Sequence, residues 1–185
     1  MAKHLSNLKE GRNLISIRRD EIDNRRIQAF LLDYSKELIL IKYVYDFILD
    51  GLMVLRQSDI SEIKSDKTDF LQTQILKEEG LYSKVDFHTK CDLSNWNSVF
   101  STLGSSHRFI TIEDENPEYP LFYLGEIRDI GADSVSILGF SGAANWDDEV
   151  SEIYYEDISC VQLGNNYTNV YERYFERNAL TKPSI

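Results

Sequence analysis

Cysteine, proline and histidine are all scarce in this chain. It has two cysteines, Cys91 and Cys160, and three prolines in 185 residues. Two thiols at no metal-like spacing, in a chain apolar enough to build its own core, exclude a disulfide framework and read as reduced cysteines. His4, His88 and His107 lie far apart, and none stands in an HExxH- or CxxC-type spacing, so no metal site is expected. GxGxxG, GxxxxGK[ST] and GxSxG are also missing, which removes the usual support for a phosphate-cradling loop or a serine nucleophile. No cofactor and no enzymatic activity are expected. No apolar run approaches the roughly 20 residues of a membrane span, and MAKHLSNLKEGRNL holds no signal-peptide core. The expectation is a cytoplasmic protein with no membrane contact.

What is present is a core and a charge asymmetry. Hydrophobic residues make up 42% of the chain and aromatic ones 12%, enough to exclude disorder. The net charge is −11. Residues 1–107 hold 15 Lys and Arg against 16 Asp and Glu, whereas residues 108–185 hold 5 against 15. An acidic second half repels phosphate backbones and favours a basic protein partner. The segment Met1 to Arg26 is locally basic, with Arg18, Arg19, Arg25 and Arg26 around one polar turn.

The run from Glu37 to Ile63, ELILIKYVYDFILDGLMVLRQSDISEI, organises the fold. Alternation in Leu14 to Arg18 and Ile27 to Tyr34 predicts two strands before it. Within the run, Ile39, Ile41, Tyr43, Tyr45 and Phe47 share one face of a long third strand. Asp50-Gly51 suits a two-residue turn into a fourth strand over Leu52 to Arg56, because glycine accepts the positive φ such a turn needs. Asp59-Ile60-Ser61 breaks the periodicity, and a fifth strand ends at Lys64. A helix then follows, with Thr68 or Asp69 as cap and Phe70, Leu71, Ile75 and Leu76 inward. Residues 80–92 read as a linker.

The second half opens on a helix capped at Ser94, with Trp96, Val99, Phe100 and Leu103 on one face. The strand order then repeats: Phe109 to Ile112, Leu121 to Ile130, Ser134 to Phe140, Glu149 to Tyr154, Asp157-Ile158-Ser159, and Cys160 to Leu163. A last helix capped at Asn169 would turn Val170, Tyr171, Tyr174 and Phe175 inward. The tail TKPSI is expected to fray. The fold class predicted is α+β, mainly β, built as residues 1–84 and 85–185.

A bent five-stranded antiparallel unit with a short turn before its last strand resembles the Sm-like small β-barrel. The resemblance is carried by Leu38 to Ser61 and again by Ser134 to Ser159. It is closest to uncharacterised bacterial proteins with two tandem Sm-like domains, in which runs similar to LDGLMVLRQSDISEI and EDISCVQLGNNYTNVYERY recur. It implies two tandem five-stranded barrels with flanking helices and, through their edge strands, self-association. It implies no activity, since one fold carries many functions, and no stretch matches the RNA-reading motifs of that group.

The residues singled out for binding are Arg18, Arg19, Arg25 and Arg26 in the first half and Trp146, Asp147, Asp148, Tyr154 and Tyr155 in the second. The arginines read more readily as a solvated edge paired to Asp20, Glu21 and Asp23. Tyr154 and Tyr155 are adjacent in a strand, so one of them must face outward. Glu113-Asp114-Glu115 and Asp147-Asp148-Glu149 read as solvated acids, Cys160 as a small buried hydrophobe. The function expected is a non-enzymatic interaction module that binds another protein. The alternatives are an RNA-binding protein using the arginines and an acidic immunity- or antitoxin-like blocker.

Overall fold

The computed structural model describes residues 2–181; of the tail TKPSI, expected to fray, all but Thr181 lies outside them. The chain is α+β and mainly sheet. Helix α1 (Ala2–Gly11) precedes strands β1 (Leu14–Arg19), β2 (Asp23–Tyr34), β3 (Leu38–Tyr45), β4 (Ile48–Arg56) and β5 (Glu62–Lys64). Helices α2 (Lys67–Glu78) and α3 (Trp96–Leu103) separate these from β6 (Ile110–Asp114), β7 (Leu121–Ile130), β8 (Ser134–Phe140), β9 (Trp146–Tyr154) and β10 (Cys160–Leu163), and α4 (Asn166–Arg177) follows.

All ten strands form one antiparallel sheet in the order β5-β1-β2-β3-β4-β10-β6-β7-β8-β9. Each half therefore lays its five strands down in the same spatial order. The bulges repeat as well. The register slips between the second and third strands at Leu31/Asp33 and at Ile127/Asp129, and between the third and fourth at Lys42/Val44 and at Leu138/Phe140.

The two closed barrels expected from the sequence are replaced by a single open sheet. The edge of β4 pairs with β10 of the other half, Leu55 opposite Cys160 and Leu52 opposite Leu163, leaving β5 and β9 as its ends. Alternation along a strand specifies which face is buried but not which strand lies beside it. The β5 end is partly covered by α1, whose His4 Nε2 lies 2.8 Å from the Ile63 carbonyl oxygen.

One core runs beneath both halves, with Leu14, Phe30, Leu40 and Val54 of the first joined to Ile110, Val135, Ile153 and Val161 of the second under Trp96 and Phe100 of α3. The supposed linker belongs to it. Tyr82 and Phe87 pack edge-on against Phe30 at 5.6 Å, and Val85 is buried. The opposite face carries two separate clusters. Ile15, Ile17, Ile39, Leu55 and Cys160 lie with Leu5 of α1, and Phe109, Phe140 and Phe175 lie with Trp146 and Tyr171 under α4.

Several local expectations are corrected. The β3–β4 turn is made by Asp46 and Phe47, both at positive φ (46° and 66°), while Asp50-Gly51 lies inside β4. There the two residues face Tyr43 alone as a bulge. Gly51 has φ +77°, and a Cβ on it would sit 2.6 Å from the Leu163 carbonyl oxygen and the Asn165 nitrogen. Glycine is thus required by a close approach of two backbones rather than by a hairpin. Helix α2 starts two or three residues earlier, capped by Asp66 in a capping box with Asp69. It buries Asp69, Thr73 and Leu76, leaving Phe70 and Leu71 exposed. The caps of α3 and α4 are Asn95 and Asn165. On α4 Phe175 is buried, whereas Val170 and Tyr174 are exposed, as are Tyr45 and Phe47 of the β3–β4 hairpin.

Candidate functional site at the seam between the halves

The β4–β10 pairing brings polar side chains of both halves together. Arg19, at the end of β1, is placed by a register slip between Arg18 and Arg19 against β2. Its guanidinium crosses to the second half and donates two hydrogen bonds to Glu115, at 2.5 and 2.7 Å. Arg19 is 5% exposed. The Ser159 hydroxyl donates to the same carboxylate at 2.8 Å, and the Arg19 Nε is buried without a partner. Burial works against the Arg19 charge, and the bonds and charge of Glu115 outweigh it, so its pKa is raised.

Two residues away, Glu113 accepts a 2.7 Å hydrogen bond from Gln162. Burial raises its carboxyl pKa, with the neighbouring Glu115 adding to the shift and Gln162 and Arg19 opposing it. Glu113 and Glu115 are therefore seam residues rather than the solvated acids expected from the sequence. The Cys160 thiol is fully buried, and burial pushes its pKa far up, which removes the thiolate that nucleophilic chemistry needs.

Two clefts open along this seam. One, of about 750 Å³, is lined by Arg19, Arg25 and Arg26 together with Tyr43, Tyr45, Glu113, Glu115 and Gln162. Three of the four expected arginines meet in it, though not as a free basic patch. Arg26 is tied to Asp69 at 2.9 Å and to the Ser16 hydroxyl, Arg19 to Glu115, and Arg25 is exposed. Arg18 points to solvent and pairs with Asp20 at 2.8 Å, the one expected solvated pair that forms among the described residues.

The second cleft, about 960 Å³ with mostly apolar walls, lies where the β2–β3 turn, the end of β4, the start of α3 and the β9–β10 turn converge. Leu5, Tyr34, Leu38, Trp96 and Tyr155 supply apolar surface, and Arg56 and Gln57 are the polar residues from β4 and its end. Arg56 donates through Nη2 to the carbonyl oxygens of Tyr155 (3.4 Å), Glu156 (2.6 Å) and Ile158. Sequence reasoning passed over Arg56 and Trp96 as a strand end and a core aromatic. Their convergence depends on the sheet order, which no local pattern encodes.

The acidic and aromatic residues of the second half divide. Tyr155 is half-buried, its hydroxyl donating to the Gly131 carbonyl at 2.9 Å, while Tyr154 is 51% exposed. Trp146 packs against Phe109, Phe140 and Phe175 at 5.0–5.9 Å between ring centres instead of standing free. Asp147 and Asp148 are exposed on β9, at the open end of the sheet.

Among the described residues no group of three or more His, Cys, Asp or Glu side chains is placed to hold a metal ion, and no helix is long and apolar enough to cross a membrane. No protein-family model matches the chain, and comparison with curated proteins and with solved structures returns no match.

Proposed function

We propose that the protein is a non-enzymatic docking module whose second half receives a basic protein segment along β9. One observation carries this reading: β9 ends the sheet, with no strand on its outer side among the described residues, and Asp147, Asp148, Glu149 and Glu152 are exposed on it beside two apolar side chains, Val150 and Tyr154, 43% and 51% exposed. An open edge offers a row of backbone donors and acceptors to an incoming strand. The four acids exclude acidic partners and other copies of the same edge, and they attract Lys- or Arg-rich segments. The same reading takes the halves as two copies of an Sm-like five-strand unit, supported by the repeated strand order and by bulges at matching positions.

The test is titration of the full chain with a strand-forming peptide of alternating Lys and Val, against its Glu-Val counterpart. The basic peptide should bind, more weakly as salt rises, and a variant carrying Asp147→Lys, Asp148→Lys and Glu149→Lys should lose that binding. Equal binding by the variant would sink the proposal. Binding of single-stranded RNA in place of the basic peptide would instead favour the arginine-based alternative, whose affinity falls steeply with salt.

A further inference from the structure

We propose that the apolar cleft at Arg56 binds a small amphipathic carboxylate, an aromatic body ending in one acid group. The argument is independent of the docking role of β9. Arg56 is held in place but not neutralised. Its Nη2 is fixed by three backbone carbonyls of the β9–β10 turn, and among the described residues no carboxylate pairs with it.

Carbonyl oxygens orient a guanidinium without cancelling its charge. Among the described residues the remaining Nε–H and Nη1–H have no partner; with Nη2 held by the carbonyls they diverge, so each offers a carboxylate oxygen one charge-assisted hydrogen bond rather than a two-pronged pair. Anchoring lowers the conformational entropy such a side chain would otherwise lose on binding.

The walls select the rest of the ligand. The cleft measures about 960 Å³ and is bounded by Leu5, Leu38, Trp96 and Tyr155, with far more apolar than polar surface, in the range of small-molecule sites. The first turn of α3 also borders it. Asn95 caps the Ser98 N–H, leaving the N–H groups of Trp96 and Asn97 to add partial positive charge on the same side as Arg56. Glu37 and Glu156 also line the cleft but are exposed, so water screens them more than the half-buried Arg56. A polyanion would meet those two acids. A monoanion with a flat apolar body would meet the guanidinium and the rings.

The experiment uses the full chain and 2-naphthaleneacetate, with 2-naphthaleneethanol as neutral counterpart and inorganic phosphate as bare anion. Calorimetry should give binding of the acid at or below about 1 mM, with the alcohol weaker by about tenfold, the share of one charge-assisted interaction. Phosphate should not bind. Arg56→Gln should bring the acid down to the level of the alcohol.

Because Arg56→Gln also removes bonds to three carbonyls, resonance assignments of the unaltered protein supply a second reading. The acid should shift the Arg56 Nε–H and Trp96 indole signals together, and phosphate should shift neither. Equal binding of acid and alcohol, shifts confined to other residues, or phosphate acting like the acid would each overturn the proposal.

Discussion

Arg19 and Glu115, 96 positions apart, form a two-pronged ion pair with contacts of 2.5 and 2.7 Å across the seam, and their side chains are 5% and 17% exposed. A pair this dry stabilises little against a well-packed apolar replacement, yet losing one member strands the other charge. Arg19→Ala should therefore cost about 3–5 kcal/mol, and the double change Arg19→Met with Glu115→Leu should cost markedly less. Urea denaturation of the two variants measures the difference. Similar losses in both would mean that the pair is not the unit of stability at the seam.

Glu113 makes stability depend on pH in the direction opposite to an ordinary salt-bridged acid. Its folded pKa is raised, chiefly by burial, so the folded state holds its proton to higher pH than the unfolded chain does. Its contribution is favourable below the unfolded value and is lost as pH rises through the raised folded value. Glu113→Gln, which can still accept the hydrogen bond from Gln162, should raise the melting temperature at neutral pH and leave it nearly unchanged near pH 4. Melting curves across that range test the sign.

Gly51 and Gly80 share a positive φ, 77° and 71°, but differ in surroundings. A Cβ at Gly51 would press on Leu163 and Asn165 backbone atoms 2.6 Å away, whereas Gly80 has nothing within 4 Å. Gly80→Ala should cost about 1 kcal/mol from backbone conformation alone. Gly51→Ala should exceed that by about 2 kcal/mol or more, since two strands must separate. Chemical denaturation of both variants separates strain from crowding.

Asp69 is fully buried and joins three structures. It closes the α2 capping box and accepts hydrogen bonds from Ser16 at 2.8 Å and Arg26 at 2.9 Å. Asp69→Ala should destabilise by about 2 kcal/mol or more, the sum of a lost cap and unpaired buried polar groups. Phe70→Ala beside it, on an exposed side chain, should change stability far less. Thermal melts of the pair would contradict the assignment of inward face if Phe70→Ala were the more damaging.

How far the fold was legible in the sequence follows from which signals are local. Alternation located the strands to within a few residues, and the recurrence of Asp-Ile-Ser announced the repeat. Helix faces were misjudged where polar residues outcompeted apolar ones for the inward position. On α2 an aspartate turns inward because Ser16 and Arg26 await it, a fact invisible from the helix alone. Asp50-Gly51 carried the signature of a hairpin turn and was used for a bulge, because positive φ serves a close approach as well as a reversal. Of the candidate site, Tyr154 was found only as one of two adjacent tyrosines of which one must face outward, and Asp147 only as a solvated acid ahead of the strand expected from Glu149, whereas Arg56 was not found at all.

By itself the sequence determined the strands, their repeated order along the chain and the charge difference between the halves, because each is written in residues close together along the chain. Only the tertiary structure decided that β4 pairs with β10, that Arg19 is locked to Glu115, and that Arg56 stands over an apolar cleft. Those outcomes depend on which edges meet and on what each meeting buries, and contacts between residues about 100 positions apart leave no periodic trace in the chain.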